Sequence, residues 1–166
     1  SLIIYVKFID DVYENGLTLD WPHIVNGHTD ERPAWTEQML TKNLFTADFE
    51  PSITGYFKSM SNSNFQIYGD VYPISTNYPK LYLTQHGYEH YRSPWATPPG
   101  TRDISTVVWE AIVNLDDEID FSQYDNDNDG YVDELIVWFR LGYFGTTDNN
   151  GYNGIANLTG INHNYF

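Results

Sequence analysis

The order of apolar and polar positions divides the chain into alternating strands and helices. Leu2-Ile3-Ile4-Tyr5-Val6-Lys7-Phe8 is an apolar, β-branched run closed by Asp10-Asp11, and it predicts a buried strand. Residues 12–32 carry Gly16, Pro22 and Gly27 among polar side chains and predict loop. Pro33 opens a helix expected to run through Phe45. A better one follows Glu50-Pro51. Ile53, Tyr56, Phe57 and Met60 fall at i, i+3, i+4 and i+7, one stripe of a helix, and Asn62-Ser63-Asn64 stops it.

Phe65, Ile67 and Val71 alternate with Gln66, Tyr68 and Asp70, the two-residue period of a half-exposed strand. Residues 72–102 are rich in Tyr, Pro, His and Trp without a sustained period. They read as a long decorated loop, and such loops tend to be functional. Asp103 is the expected N-cap of the clearest helix, whose face is Ile104, Val107, Val108, Ala111, Ile112 and Leu115. An acidic run, an aspartate-rich loop and the strand Leu135-Ile136-Val137-Trp138-Phe139 follow, the strand expected to be buried. After Gly142 the chain is rich in Gly and Asn, with Ile155, Ala156 and Leu158 as a weak strand signal. No segment repeats. The order β-α-α-β-α-β predicts an α/β domain, a mixed twisted sheet with helices packed on it.

Composition narrows the function classes. Apolar residues make up 41% and aromatics 17%, which supports a packed core and argues against disorder. The 166 residues are read as a single domain, an excised piece of something larger, since the chain opens at Ser1 directly on a strand. A formal net charge of −15, with Lys and Arg scattered, excludes the basic stripe that nucleic acid requires. No Cys is present, so disulfides and thiolate metal sites are excluded. No apolar run approaches the ~20 residues of a membrane span.

The strongest chemical signal is Asp125-Asn126-Asp127-Asn128-Asp129-Gly130-Tyr131-Val132-Asp133. Calcium takes about six to eight hard oxygen ligands, and carboxylates at alternate positions of a tight loop supply them. Asp125, Asp127 and Asp129 are candidate side-chain ligands, Tyr131 a candidate through its carbonyl, and Asp133 a candidate directly or through water. Gly130 permits the sharp turn. An EF-hand would place a bidentate Glu where Ile136 stands, so the likeness covers only the first half of that loop. The plainer reading is a solvated acidic turn, because Asp, Asn and Gly are common turn formers. Strict alternation with a fourth Asp favours the ion, in a structural role. Weak calcium sites suit the calcium-rich space outside cells, which predicts a secreted protein.

His86-Gly87-Tyr88-Glu89-His90 spells H-x-x-E-H, an inverted zinc-peptidase pattern. On a helix the two imidazoles would share a face. Gly87 disfavours a helix by about 1 kcal/mol, Pro94 limits its length, and no third ligand is readable. An aromatic-rich surface loop is the plainer reading. Tyr78, Tyr82, Tyr88 and Tyr91 could stack on sugar rings, although aromatics that wall a core are commoner. His23, His28 and His163 are isolated and read as loop residues.

Three stretches together resemble the M6 family of secreted bacterial metallopeptidases, the immune inhibitor A type. They are Ser52-Ile53-Thr54-Gly55-Tyr56-Phe57-Lys58-Ser59-Met60-Ser61, Phe65-Gln66-Ile67-Tyr68-Gly69-Asp70-Val71-Tyr72, and Ile119-Asp120-Phe121-Ser122-Gln123-Tyr124 running through the aspartate loop to Phe139. The resemblance implies a zincin-like upper lobe, proteolysis of protein or peptide substrates, and a catalytic Zn2+ in the full-length parent. The family's zinc signature, H-E-x-x-H on a helix, is absent here. In the family it lies downstream of the calcium loop, so the resemblance implies an amino-terminal portion with no catalytic residue of its own, inactive without a downstream catalytic segment. The alternative is a non-catalytic, calcium-dependent extracellular module that binds carbohydrate or protein.

Overall fold

The computed structural model describes residues 1–10, 32, 34–40, 52–74, 81–92 and 104–140. Its centre is β1 (Leu2–Lys7). Leu2, Ile3, Ile4, Tyr5 and Val6 are wholly buried, because both faces of this strand are covered. One edge of β1 pairs with β2 (Asp70–Tyr72) at Leu2–Ile4, then with β3 (Tyr82–Leu83) at Val6 and Lys7. The other edge pairs with β4 (Leu135–Phe139) along Leu2 to Val6. A mixed sheet was the expectation; all three described pairings are parallel. The α/β class holds.

Side-chain alternation along β1 sorts the core into two layers. Leu2, Ile4, Val6 and Phe8 face α2 (Tyr88–Arg92) and α3 (Ile104–Leu115), meeting Tyr91, Val107, Ala111 and Leu115. Ile3 and Tyr5 face the opposite layer, with Leu40, Ile67, Val71 and Leu81, and with Ile53 and Phe57 of α1 (Ile53–Met60) against it. The path β1-α1-β2 moves one way across the sheet over one face. The path β3-α3-β4 moves the other way over the other face. Both crossovers therefore have the same hand, the condition that the right-handed crossover rule sets. Burial of each large β1 side chain contributes about 1.5–3 kcal/mol.

Helix α1 starts where expected: the Ser52 hydroxyl accepts from the Gly55 N–H at 2.8 Å. It ends at Asn62 and Ser63, both with positive φ (52° and 65°). Its inward face differs from the expected stripe. Thr54 and Gly55 are buried, Ile53 and Phe57 partly so, while Tyr56 and Met60 are 58% and 69% exposed. The small Thr54 and Gly55 face inward, which turns the i+3 members of the stripe to the flank.

The strand expected over residues 65–71 pairs only at Asp70–Tyr72. Leu2↔Asp70 is the first register pair, so residues 65–69 run beyond β1. Of the helix expected from Pro33 to Phe45, the described part holds a 3₁₀ turn at Ala34–Gln38, and Pro33 and residues 41–45 lie outside the described residues. The supposed loop of residues 72–102 holds β3 and α2, elements too short to print a period. β4 forms as expected but is half-buried rather than buried, with Trp138 stacked on Tyr5 at 5.8 Å. Among the described residues it pairs only with β1, so no second strand flanks its outer edge. Asp103, most of residues 12–32 and the segment after Gly142 lie outside the described residues. Among the described residues no helix is long and apolar enough to cross a membrane.

Candidate metal site

The aspartate loop is carried between α3 and β4 at the amino end of the sheet. After Leu115 the chain turns through Ile119, whose N–H returns to the Leu115 carbonyl at 2.9 Å. Asp120 then caps a 3₁₀ turn at Phe121–Tyr124, accepting from the Ser122 hydroxyl at 2.6 Å and from Gln123 Nε2 at 3.0 Å. These bonds, the Ser122 hydroxyl first, hold the Asp120 carboxyl below its usual range. Phe121 and Tyr124 are buried and anchor the turn. Tyr124 fixes both ends of the loop. Its hydroxyl donates to Asp70 of β2 at 2.5 Å, and its carbonyl accepts from the Asp133 N–H at 2.9 Å.

Within the loop, main-chain N–H groups turn toward the carboxylates. Asp125 accepts from the N–H groups of Asp129 (3.1 Å) and Gly130 (2.9 Å). Asp133 accepts from the backbone N–H of Asn126 at 3.1 Å and from its side-chain amide. Gly130 (φ 88°) and Asn128 (φ 59°) supply the left-handed residues that close the turn. Carboxylate oxygens of Asp125, Asp127 and Asp133 lie within 4.8 Å of one another. Asp129 stands outside that group, with its Oδ1 accepting from the Tyr131 N–H at 2.9 Å.

The electrostatics follow from this crowding. The Asp129 charge, with burial and the Asp133 and Asp125 charges behind it, raises the Asp127 carboxyl above its usual range. The Asn126 side-chain amide, then its backbone N–H, lowers Asp133. Three convergent carboxylates on an exposed loop are the donor chemistry of a hard divalent cation, and Asp125, Asp127 and Asp133 could hold one. Three of the four candidate carboxylates therefore come together. Asn126 joins the loop as a donor to Asp133, a role that the sequence signals only by placing an amide between two acidic positions.

The H-x-x-E-H stretch takes a different form from the helical presentation. α2 begins at Tyr88, so His86 precedes the helix and His90 lies on it. The two imidazoles still meet, stacked at 3.9 Å between centroids and 24° between planes. Tyr82 and Tyr91 are buried and the partly buried Tyr88 packs against the same cluster, so these three wall the core, while Tyr78 lies outside the described residues. Glu110 of α3 joins them: Oε1 accepts from the Tyr82 hydroxyl and the Gln85 N–H, both at 2.8 Å, and Oε2 from the Tyr91 hydroxyl at 2.5 Å. A Glu flanking an apolar stripe carries no sequence signal for that role. His23, His28 and His163 lie outside the described residues. No known family, curated protein or solved structure matches the chain.

Proposed function

We propose that the chain is the amino-terminal part of a secreted, M6-like zinc metallopeptidase, held in shape by a structural calcium ion. The zinc-binding H-E-x-x-H helix would lie beyond Phe166, and the substrate of the parent enzyme would be a protein or peptide. The observation that carries this reading is the convergence of Asp125, Asp127 and Asp133 immediately before β4. An ion there would tie the end of the α3 connection to the strand that pairs with β1. The parallel α/β core and its strand–helix order are compatible with a zincin-like upper lobe. This chain's own residues supply the calcium ligands and no hydrolytic step.

The second reading, a calcium-dependent binding module, draws on the exposed Tyr56, Met60, Phe65 and Tyr68 around α1. Such a module would meet a protein partner through that apolar surface.

The deciding experiment measures peptide hydrolysis by the longer polypeptide of the same reading frame, beside this chain alone. The chain alone should be inert. The longer polypeptide should cleave a protein substrate and stop when zinc is chelated. Calcium at a hundredfold excess over its dissociation constant should stabilise the fold by about 2.7 kcal/mol. Asp127→Ala should abolish most of the calcium-induced rise in melting temperature. A longer polypeptide without H-E-x-x-H would sink the peptidase reading, and a melting temperature indifferent to calcium and chelator would sink the structural-ion role.

A further inference from the structure

The carboxyl end of the sheet lies opposite the aspartate loop. There β1 runs on to Asp10, and β3 runs through Thr84 and Gln85 to His86. The described segments that follow β1 pack on one face of the sheet, while α2 and α3, which follow β3, pack on the other. In open parallel sheets this change of side opens a crevice beyond the strand ends, the usual place for a ligand. His86 and His90 stand at that point.

Several contacts hold the pair. The His86 N–H donates to the Tyr91 hydroxyl at 3.2 Å, and the His86 carbonyl accepts from the Thr84 hydroxyl at 2.7 Å. Tyr91 is itself bonded to Glu110 and sets its ring edge-on to His90 at 5.0 Å and 79°. Asp10 accepts from the Tyr88 N–H at 2.8 Å, tying the end of β1 to the start of α2. The segment bearing both imidazoles is thus fixed from β1, β3 and α3.

We propose that His86 and His90, stacked at the carboxyl end of the sheet, form a binding site for a zinc-class dication, separate from the calcium loop. Zinc–imidazole bonds of about 2.0–2.1 Å at a tetrahedral angle place the two ligating nitrogens about 3.3 Å apart. Rings with centroids 3.9 Å apart would open to about 5 Å, through rotations about χ1 and χ2 together, to aim one nitrogen of each at a shared ion. Imidazole selects zinc, copper or nickel over calcium, as carboxylates do the reverse, so the two sites would load independently. Two protein ligands leave the other positions of a four-coordinate ion to water or to a donor atom from a bound molecule.

The test is calorimetric titration of Zn2+ into the metal-stripped chain in saturating calcium. Wild type is compared with His86→Gln, His90→Gln and Asp127→Asn. One zinc should bind per chain, weakened at least tenfold by either histidine substitution and unchanged by Asp127→Asn. NMR of the wild type gives a reading that does not depend on the variants folding: the ring signals of His86 and His90 should shift together on adding one equivalent of zinc. Zinc affinity equal in wild type and both histidine variants, loss of binding in Asp127→Asn alone, or unmoved His86 and His90 signals would overturn the assignment.

Discussion

At the scale of single residues, the aspartate loop depends on backbone conformations that most side chains resist. Gly130 has φ 88°, and a Cβ added there would meet nothing within 4 Å. The cost of filling the position is therefore conformational, not steric. Gly130→Ala should lower stability by about 1–2 kcal/mol. Gly130→Asn should cost less despite its larger side chain, since Asn tolerates the left-handed region and Asn128 already adopts it at φ 59°. Urea unfolding of the metal-free variants checks the order; an Asn variant weaker than the Ala variant would point to crowding instead. This much was legible, because Gly130 and the alternating Asp residues follow a spacing tied to a turn. The withdrawal of Asp129 toward Tyr131 was not, since it depends on which N–H groups the folded loop turns inward.

At the scale of elements, α2 is a short helix stabilised from outside itself. Its first N–H is capped by Asp10, which arrives from the end of β1. A Cβ at Gly87 would lie 2.3 Å from Asp10 Oδ2, the far end of a side chain that can swing aside. Gly87→Ala should therefore cost the cap and little more, about 1 kcal/mol. Asp10→Ala should cost the same, and the double variant no more than either single one, a non-additive cycle readable by thermal denaturation. Independent, additive losses would mean that Gly87 serves something other than the approach of Asp10. The contrast with α3 explains what a sequence can reveal. Three turns of Val107, Val108, Ala111 and Leu115 announce a helix, whereas α2 and β3 exist through partners distant in the chain. The α1 stripe was legible as a helix, but its inward face was decided by the small Thr54 and Gly55.

At the scale of the molecule, tyrosine–carboxylate bonds clamp the layers together: Tyr82 and Tyr91 to Glu110, and Tyr124 to Asp70. Burial first, and then the hydrogen bond to the carboxylate, pushes each of these three hydroxyls well above its ordinary value. The folded chain thus keeps protons that the unfolded chain loses above about pH 10. Stability conferred by these groups is complete below that pH and falls as the pH rises further. Alkaline unfolding should be steep, with tyrosinate absorbance and loss of circular dichroism rising together. Tyr124→Phe should make the transition shallower; an unchanged slope would remove Tyr124 from the set. The sheet itself has a consequence for synthesis. β1 is translated well before its partner β4, which begins only at Leu135. At ~5–20 residues per second, a ribosome leaves this apolar strand without that partner for on the order of ten seconds. The nascent chain should therefore be a client of holding chaperones until β4 emerges.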